Sequence, residues 1–230
     1  MFIGHYAIGF ASKKLAPQVS LGTLFLSVQL LDLLWPIFLL TGLEHVRIAP
    51  GITAFSPFDF YDYPFSHSLV MVICWSVVFA GIYYLLELYP RGAWILGLGV
   101  FSHWVLDFIT HRPDMPISPG LHYFVGLGLW NSVPGTIILE GLLYIVGVIL
   151  YARFTAPKDR AGRIALWSLV IFLVLMWIGS MKSAPPPNEK VLAWSALLTW
   201  LMVPWGYYID KHRNAASIEN SGVPKVDVPI

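Results

Sequence analysis

Apolar runs of bilayer-crossing length recur along this chain and restrict its fold more than any other feature. A helix that spans a bilayer needs about 20 predominantly apolar residues. Such runs lie near Leu21–Leu43, Ser68–Leu88, Ala93–Thr110, Gly135–Phe154, Ile164–Met181 and Val191–Tyr208. A shorter apolar helix is expected from Phe2 to Lys14, stopped by Pro17. The fold class that follows is all-α: a polytopic transmembrane helical bundle of six or seven helices with a short first helix. Composition agrees, with 57% hydrophobic residues, 12% charged residues and a mean hydropathy of +0.69. A soluble domain carries roughly 25% charged residues. Pro36 inside the second run is tolerable if packed neighbours satisfy the carbonyl it frees.

Loop charge predicts the orientation. Ten of the 14 Lys and Arg residues, among them Lys13, Arg91, Arg153, Arg160 and Lys211, fall in one set of loops and the tail. Arg47, Arg112, Lys182 and Lys190 make up the other set. Cytoplasmic loops carry the excess of positive charge, so segments 44–66 and 111–134 are expected to face outward. Residues 1–213 read as a single transmembrane domain, and 214–230, polar with Pro and Gly, as a disordered cytoplasmic tail. The first residues do not read as a secretory signal, since Lys13 and Lys14 follow the apolar stretch. A net charge of +1 with no basic patch argues against nucleic acid as a partner. The single cysteine, Cys74, cannot form an internal disulfide.

Six ionisable residues fall where apolar runs should not hold them: His5, Asp32, His67, His103, Asp107 and Glu140. Each charged group in hydrocarbon costs at least ~2.5 kcal/mol on insertion scales, so such residues face a partner or a cavity. Counted at about 1.5 Å per residue, all six fall toward the outward ends of their helices. His103-Trp-Val-Leu-Asp107 places an imidazole and a carboxylate one turn apart on one face, and His111 extends that face. These donors suit zinc, and also manganese or iron. Ser66 is placed to cap the helix that follows it, and Asp59 and Asp62 to orient His67. Taken singly the residues have ordinary roles: Glu140 can hydrogen-bond a neighbouring helix, and Arg112 can be a plain surface arginine.

The pattern resembles the membrane-bound metal-dependent hydrolase family of bacterial inner membranes, the LexA-binding type. The resemblance rests on His5, on Asp32 within Leu-Leu-Asp-Leu-Leu-Trp-Pro, on Ser-His-Ser around His67, and on His103-x-x-x-Asp107. It covers roughly the first 140 residues. Where many members have Pro-Asp-x-Asp, this chain has Gln29-Leu-Leu-Asp32, with a single acid. The order of these residues is also similar, more distantly, to that in zinc-dependent phospholipase C, although Ile137 stands where a histidine would precede Glu140.

The resemblance implies a membrane-embedded metal-dependent hydrolase of the bacterial inner membrane. It would act on a phosphoester or ester of a lipid or lipid-linked substrate at the outer leaflet, with membrane lipids as its partners. The implied cofactor is a divalent metal, zinc before manganese or iron, as one to three ions. Its ligands would be His5, Asp32, His67, His103 and Asp107. Glu140 would act as base or further ligand, with Asp32 also at the reacting centre and Arg112 binding an anionic substrate. Two other classes stay open: a metal-binding scaffold or sensor without turnover, and a proton- or cation-coupled transporter that uses the acids as a relay.

Overall fold

Ala16 precedes Pro17 and leaves the helical region (φ −130°, ψ 71°), which ends the first helix, α1 (Ile3–Leu15). The computed structural model describes residues 1–215 and is mostly helical. After α1 come α2 (Leu21–Val28) and α3 (Leu30–Thr41), then β1 (His45–Ile48) and β2 (Phe58–Asp62). A single turn, α4 (Pro64–His67), leads into α5 (Leu69–Glu87) and α6 (Pro90–Thr110). Strands β3 (Met115–Pro116) and β4 (Phe124–Val125) follow, then α7 (Val133–Phe154), β5 (Thr155–Pro157) and α8 (Arg160–Lys182). The described chain closes with α9 (Glu189–Leu197), α10 (Met202–Lys211) and β6 (Arg213–Ala215).

The long helices start where the sequence supplies a cap. Ser68, Ser132 and Asp159 each accept a backbone N–H from three residues ahead, at the starts of α5, α7 and α8. Proline opens α6 and stands in the first turn of α7, where no N–H is needed.

Among the described residues, four helices (α5, α6, α7 and α8) are long and apolar enough to cross a membrane. Counting α2 and α3 as one span bent by 57° makes five. Their surfaces are as apolar as their interiors. Val77, Ile82 and Leu85 of α5, Ile138 and Leu142 of α7, and Ile171 and Leu175 of α8 are all exposed. Water would not tolerate this much continuous apolar surface; lipid tails would.

Two of the six or seven expected helices differ in form. The run Leu21–Leu43 is broken at Gln29 (φ −108°, ψ 1°). The run Val191–Tyr208 is divided into α9, a 3-10 turn over Leu198–Leu201, and α10. Pro204, which lacks an N–H and crowds the carbonyl of residue 200, accounts for that interruption. The expected outer loops are also not irregular throughout. β1 pairs antiparallel with β2 (Ile48 opposite Phe58), and β3 with β4 (Met115 opposite Val125). At the other end of the bundle β5 pairs with β6 (Ala156 opposite Asn214). Asn214 and Ala215 therefore belong to a strand, whereas the rest of the expected tail, 216–230, lies outside the described residues.

α1 is the central element and packs against α7, α2 and α6. Its Tyr6 and Phe10 meet Phe25 edge-on, with ring centroids 5.2 and 5.0 Å away, and Phe10 also meets Tyr151 at 5.4 Å. Two glycines set the helix spacing. A Cβ on Gly147 would lie 2.8 Å from the Ala7 Cα, and one on Gly99 would lie 2.7 Å from Ser27 Oγ. Only glycine lets α7 approach α1 this closely, and Gly99 leaves room for the Ser27 hydroxyl between α6 and α2. Those approaches bring α1 and α2 against the stretch of α6 that carries His103.

Candidate metal centre

Each residue of the site comes from a different element except one pair. α1 supplies His5, the first turn of α3 supplies Asp32, α4 supplies His67, and α6 supplies His103 and Asp107. A carboxylate in the first turn of a helix is favoured by the partial positive charge there. The five side chains converge. His5 Nε2 is 3.1 Å from Asp107 Oδ1, and His103 Nε2 is 3.2 Å from Asp107 Oδ2 and 3.7 Å from Asp32 Oδ1. His67 Nε2 lies 3.5 Å from Asp32 Oδ1 and 3.8 Å from Asp107 Oδ2. Two triads suit a metal ion, His5–His103–Asp107 and Asp32–His67–His103, each with one ligand atom per residue mutually within 4.8 Å. They share His103. His5, His67, His103 and Asp107 are buried, and Asp32, with about a third of its side chain exposed (34%), marks the way in.

The break between α2 and α3 contributes directly. His103 Nδ1 lies 2.7 Å from the Val28 carbonyl, at the end of α2. A carbonyl only accepts, so Nδ1 carries the hydrogen and a neutral ring presents a lone pair at Nε2. That lone pair points at two carboxylates, and among the described residues Nε2 has no hydrogen-bond partner. A lone pair against carboxylate oxygens is repulsive unless a proton or a cation lies between them. The donor set therefore fits a divalent ion: imidazole nitrogens and carboxylate oxygens, with the outer nitrogens of His67 and His103 already held.

Glu140 stands beside this cluster. Its Oε2 accepts the N–H groups of Phe2 (2.9 Å) and Gly4 (3.5 Å), capping α1, while Oε1 is buried without a partner among the described residues. The Met1 amino group contacts Asp107 Oδ1.

Arg112 is the one expected site residue that is not brought into the cluster. Its guanidinium contacts Asp59 Oδ1, and its Nε donates to Asp114 Oδ2 at 3.0 Å. His111 also turns away. The helix ends at Thr110, the backbone becomes extended (φ −65°, ψ 146°), and the ring packs against Trp130 at a tilt of 39° with Nδ1 3.0 Å from Asp114 Oδ1.

The expected orienting acids are elsewhere as well. Asp62 meets His45 at 3.0 Å, and Asp59 meets Arg112 and Arg47. In their place Glu44 and Ser66 hold His67, and Ser68 is the residue that caps α5. Glu44 is fully buried on the turn after α3. Burial pushes its carboxyl above the ordinary range, against the opposing pull of hydrogen bonds from Ser66 and Phe65. Nothing in the spacing of Glu44 marks it in the sequence; its partner Ser66 is 22 residues away.

Comparison of this chain with protein-family models, curated proteins and solved structures returned no match.

Proposed function

We propose that this chain is a membrane-embedded metal-dependent hydrolase that cleaves a phosphoester or ester in a lipid or lipid-linked substrate. The observation that carries the reading is the buried Nε2 of His103, 3.2 Å from Asp107 Oδ2 and 3.7 Å from Asp32 Oδ1 with no hydrogen-bond partner among the described residues. His103 Nε2 would ligate one ion, completed either by Asp32 and His67 or by His5 and Asp107, zinc before manganese or iron. A divalent ion held there supplies hydroxide at neutral pH and a Lewis acid for a phosphoryl or carbonyl oxygen.

The chain's own groups supply the rest. Asp32, partly exposed, lies where substrate would enter, and it can bind the ion and orient a water together. Glu140 keeps Oε1 unpartnered in a buried setting while Oε2 is anchored on the start of α1, the arrangement of a base held in one orientation. The residues around Asp107 exclude water, which strengthens every charge interaction within the cluster. The Lys and Arg distribution supports a cluster facing the extracytoplasmic side of the membrane. At that depth a lipid or lipid-linked substrate need not leave the membrane. A scaffold without turnover would be served by a closed donor shell, and the exposure of Asp32 speaks for an open one.

The test is purification in detergent without added metal, elemental analysis, and hydrolysis of generic phosphodiesters. Bound metal together with activity lost in folded His103→Ala and Asp107→Ala supports the reading. Far less than one ion per chain, even after zinc is supplied, overturns it.

A further inference from the structure

Glu44 Oε1 accepts the N–H groups of Phe65 and Ser66, each at 2.7 Å, and Glu44 Oε2 accepts the Ser66 hydroxyl at 2.6 Å. The same hydroxyl oxygen is 2.7 Å from His67 Nδ1. A hydroxyl has one hydrogen to give. Once it is given to the Glu44 carboxylate, Ser66 Oγ offers only lone pairs to the imidazole. The ring hydrogen must then sit on Nδ1, and Nε2 becomes the lone-pair nitrogen. That nitrogen is the one directed at Asp32 and Asp107.

We propose that Glu44 is a positioning residue. Acting through Ser66, it locks His67 in the Nδ1–H tautomer and so presents Nε2 as a cation ligand. His103 reaches the same tautomer by another route, through the Val28 carbonyl. The two imidazoles of the Asp32–His67–His103 triad are thus set alike by unrelated acceptors, one side-chain and one backbone. A device that served only to hold α4 in place would need the two backbone N–H bonds of Glu44 and not the third bond to Ser66. The consequence for metal rests on the function proposed above; the tautomer itself rests on the hydrogen-bond chain alone.

The experiment is nitrogen NMR of the ¹⁵N-histidine-labelled full chain in detergent. It is run metal-free at a pH where the ring is neutral, with the His67 signal assigned by its loss in His67→Gln. Wild type is expected to show His67 protonated at Nδ1. In Glu44→Gln the amide oxygen can keep the two backbone bonds, while its NH₂ faces Ser66 Oγ and turns the hydroxyl hydrogen toward Nδ1. The expected result is a switch to the Nε2–H tautomer and a loss of zinc affinity of about 10- to 100-fold, the range for residues that orient metal ligands. Ser66→Thr, which keeps the hydroxyl beside an intact Glu44, should retain the wild-type pattern. Ser66→Ala keeps both backbone bonds of Glu44 and should leave His67 without a single tautomer, which covers the case in which Glu44→Gln does not fold. A His67 signal unchanged in both Glu44→Gln and Ser66→Ala overturns the proposal. Zinc binding absent in wild type, with the tautomer switch intact, would overturn the hydrolase reading and leave this one standing.

Discussion

The imidazole of His5 lies flat on that of His103, with ring centroids 3.6 Å apart and planes within 2° of parallel. Each directs its Nε2 at a different oxygen of one carboxylate, that of Asp107. Two imidazolium rings at this separation would repel strongly, so at most one of the pair carries a proton as a cation. Asp107 is therefore the group on which both rings depend.

Asp107→Asn preserves shape and removes the charge. The amide nitrogen would meet either the His5 or the His103 Nε2, satisfying one lone pair without a cation. The expected outcome is a folded protein that has lost at least tenfold in zinc affinity, measured by competition with a chromogenic chelator. Wild-type affinity in this variant would remove Asp107 from the ligand set.

Gly147→Ala tests the α1–α7 seam. The added Cβ would sit 2.8 Å from the Ala7 Cα and would also clash with the Ala7 carbonyl. Backbone cannot yield as a flexible side chain can, so a loss of about 1–3 kcal/mol is expected. It should appear as a lower melting temperature in detergent. Because α1 carries His5, metal retention should fall with it. Gly179→Ala, where a Cβ meets nothing within 4 Å among the described residues, should lower neither.

Glu140→Gln separates capping from catalysis. A glutamine oxygen can still accept the Phe2 and Gly4 N–H groups, so α1 should start as before. The neutral amide cannot take a proton. Phosphodiester hydrolysis should fall by about 10²-fold or more, the range for general-base loss, at nearly unchanged melting temperature. Loss of folding and activity together would make Glu140 a cap alone.

Acid should loosen the end of the bundle opposite the metal centre. His212 Nδ1 lies 2.7 Å from Asp159 Oδ2, and the Gly162 N–H reaches Asp159 Oδ1 at 2.8 Å. These two hydrogen bonds, the histidine's first, hold the exposed Asp159 carboxyl below its ordinary value of 3.8. Since the folded state favours the ionised form, the stabilisation is present above the unfolded-state pKa and disappears as pH falls through the folded one. Protection from hydrogen exchange at the start of α8, relative to the intrinsic rate at each pH, should therefore fall below about pH 4. In Asp159→Asn that acid dependence should flatten, and an unchanged profile would assign it to another group.

The apolar runs are readable residue by residue because bilayer length and hydropathy are local, additive properties. On that basis the helical character, the short first helix and the membrane-crossing lengths of α5 to α8 follow from the chain alone. His5, Asp32, His67, His103, Asp107 and Glu140 stand out there too, since an ionisable residue in an apolar run carries a solvation penalty that needs no neighbour to be recognised.

Partnership is a different matter. The bend at Gln29 that hands the Val28 carbonyl to His103, the pairing of Arg112 with Asp59 across 53 residues, and the hold of Glu44 on Ser66 are set by which backbones pack together. The orienting acid for His67 is the plainest case: Asp59 and Asp62 are nearer in sequence, but the β1–β2 hairpin gives them to Arg112 and His45, and the turn after α3 brings in Glu44. Hydrogen bonds are satisfied across distances in space to which sequence separation is blind, so only the tertiary arrangement decides which carboxylate meets which donor.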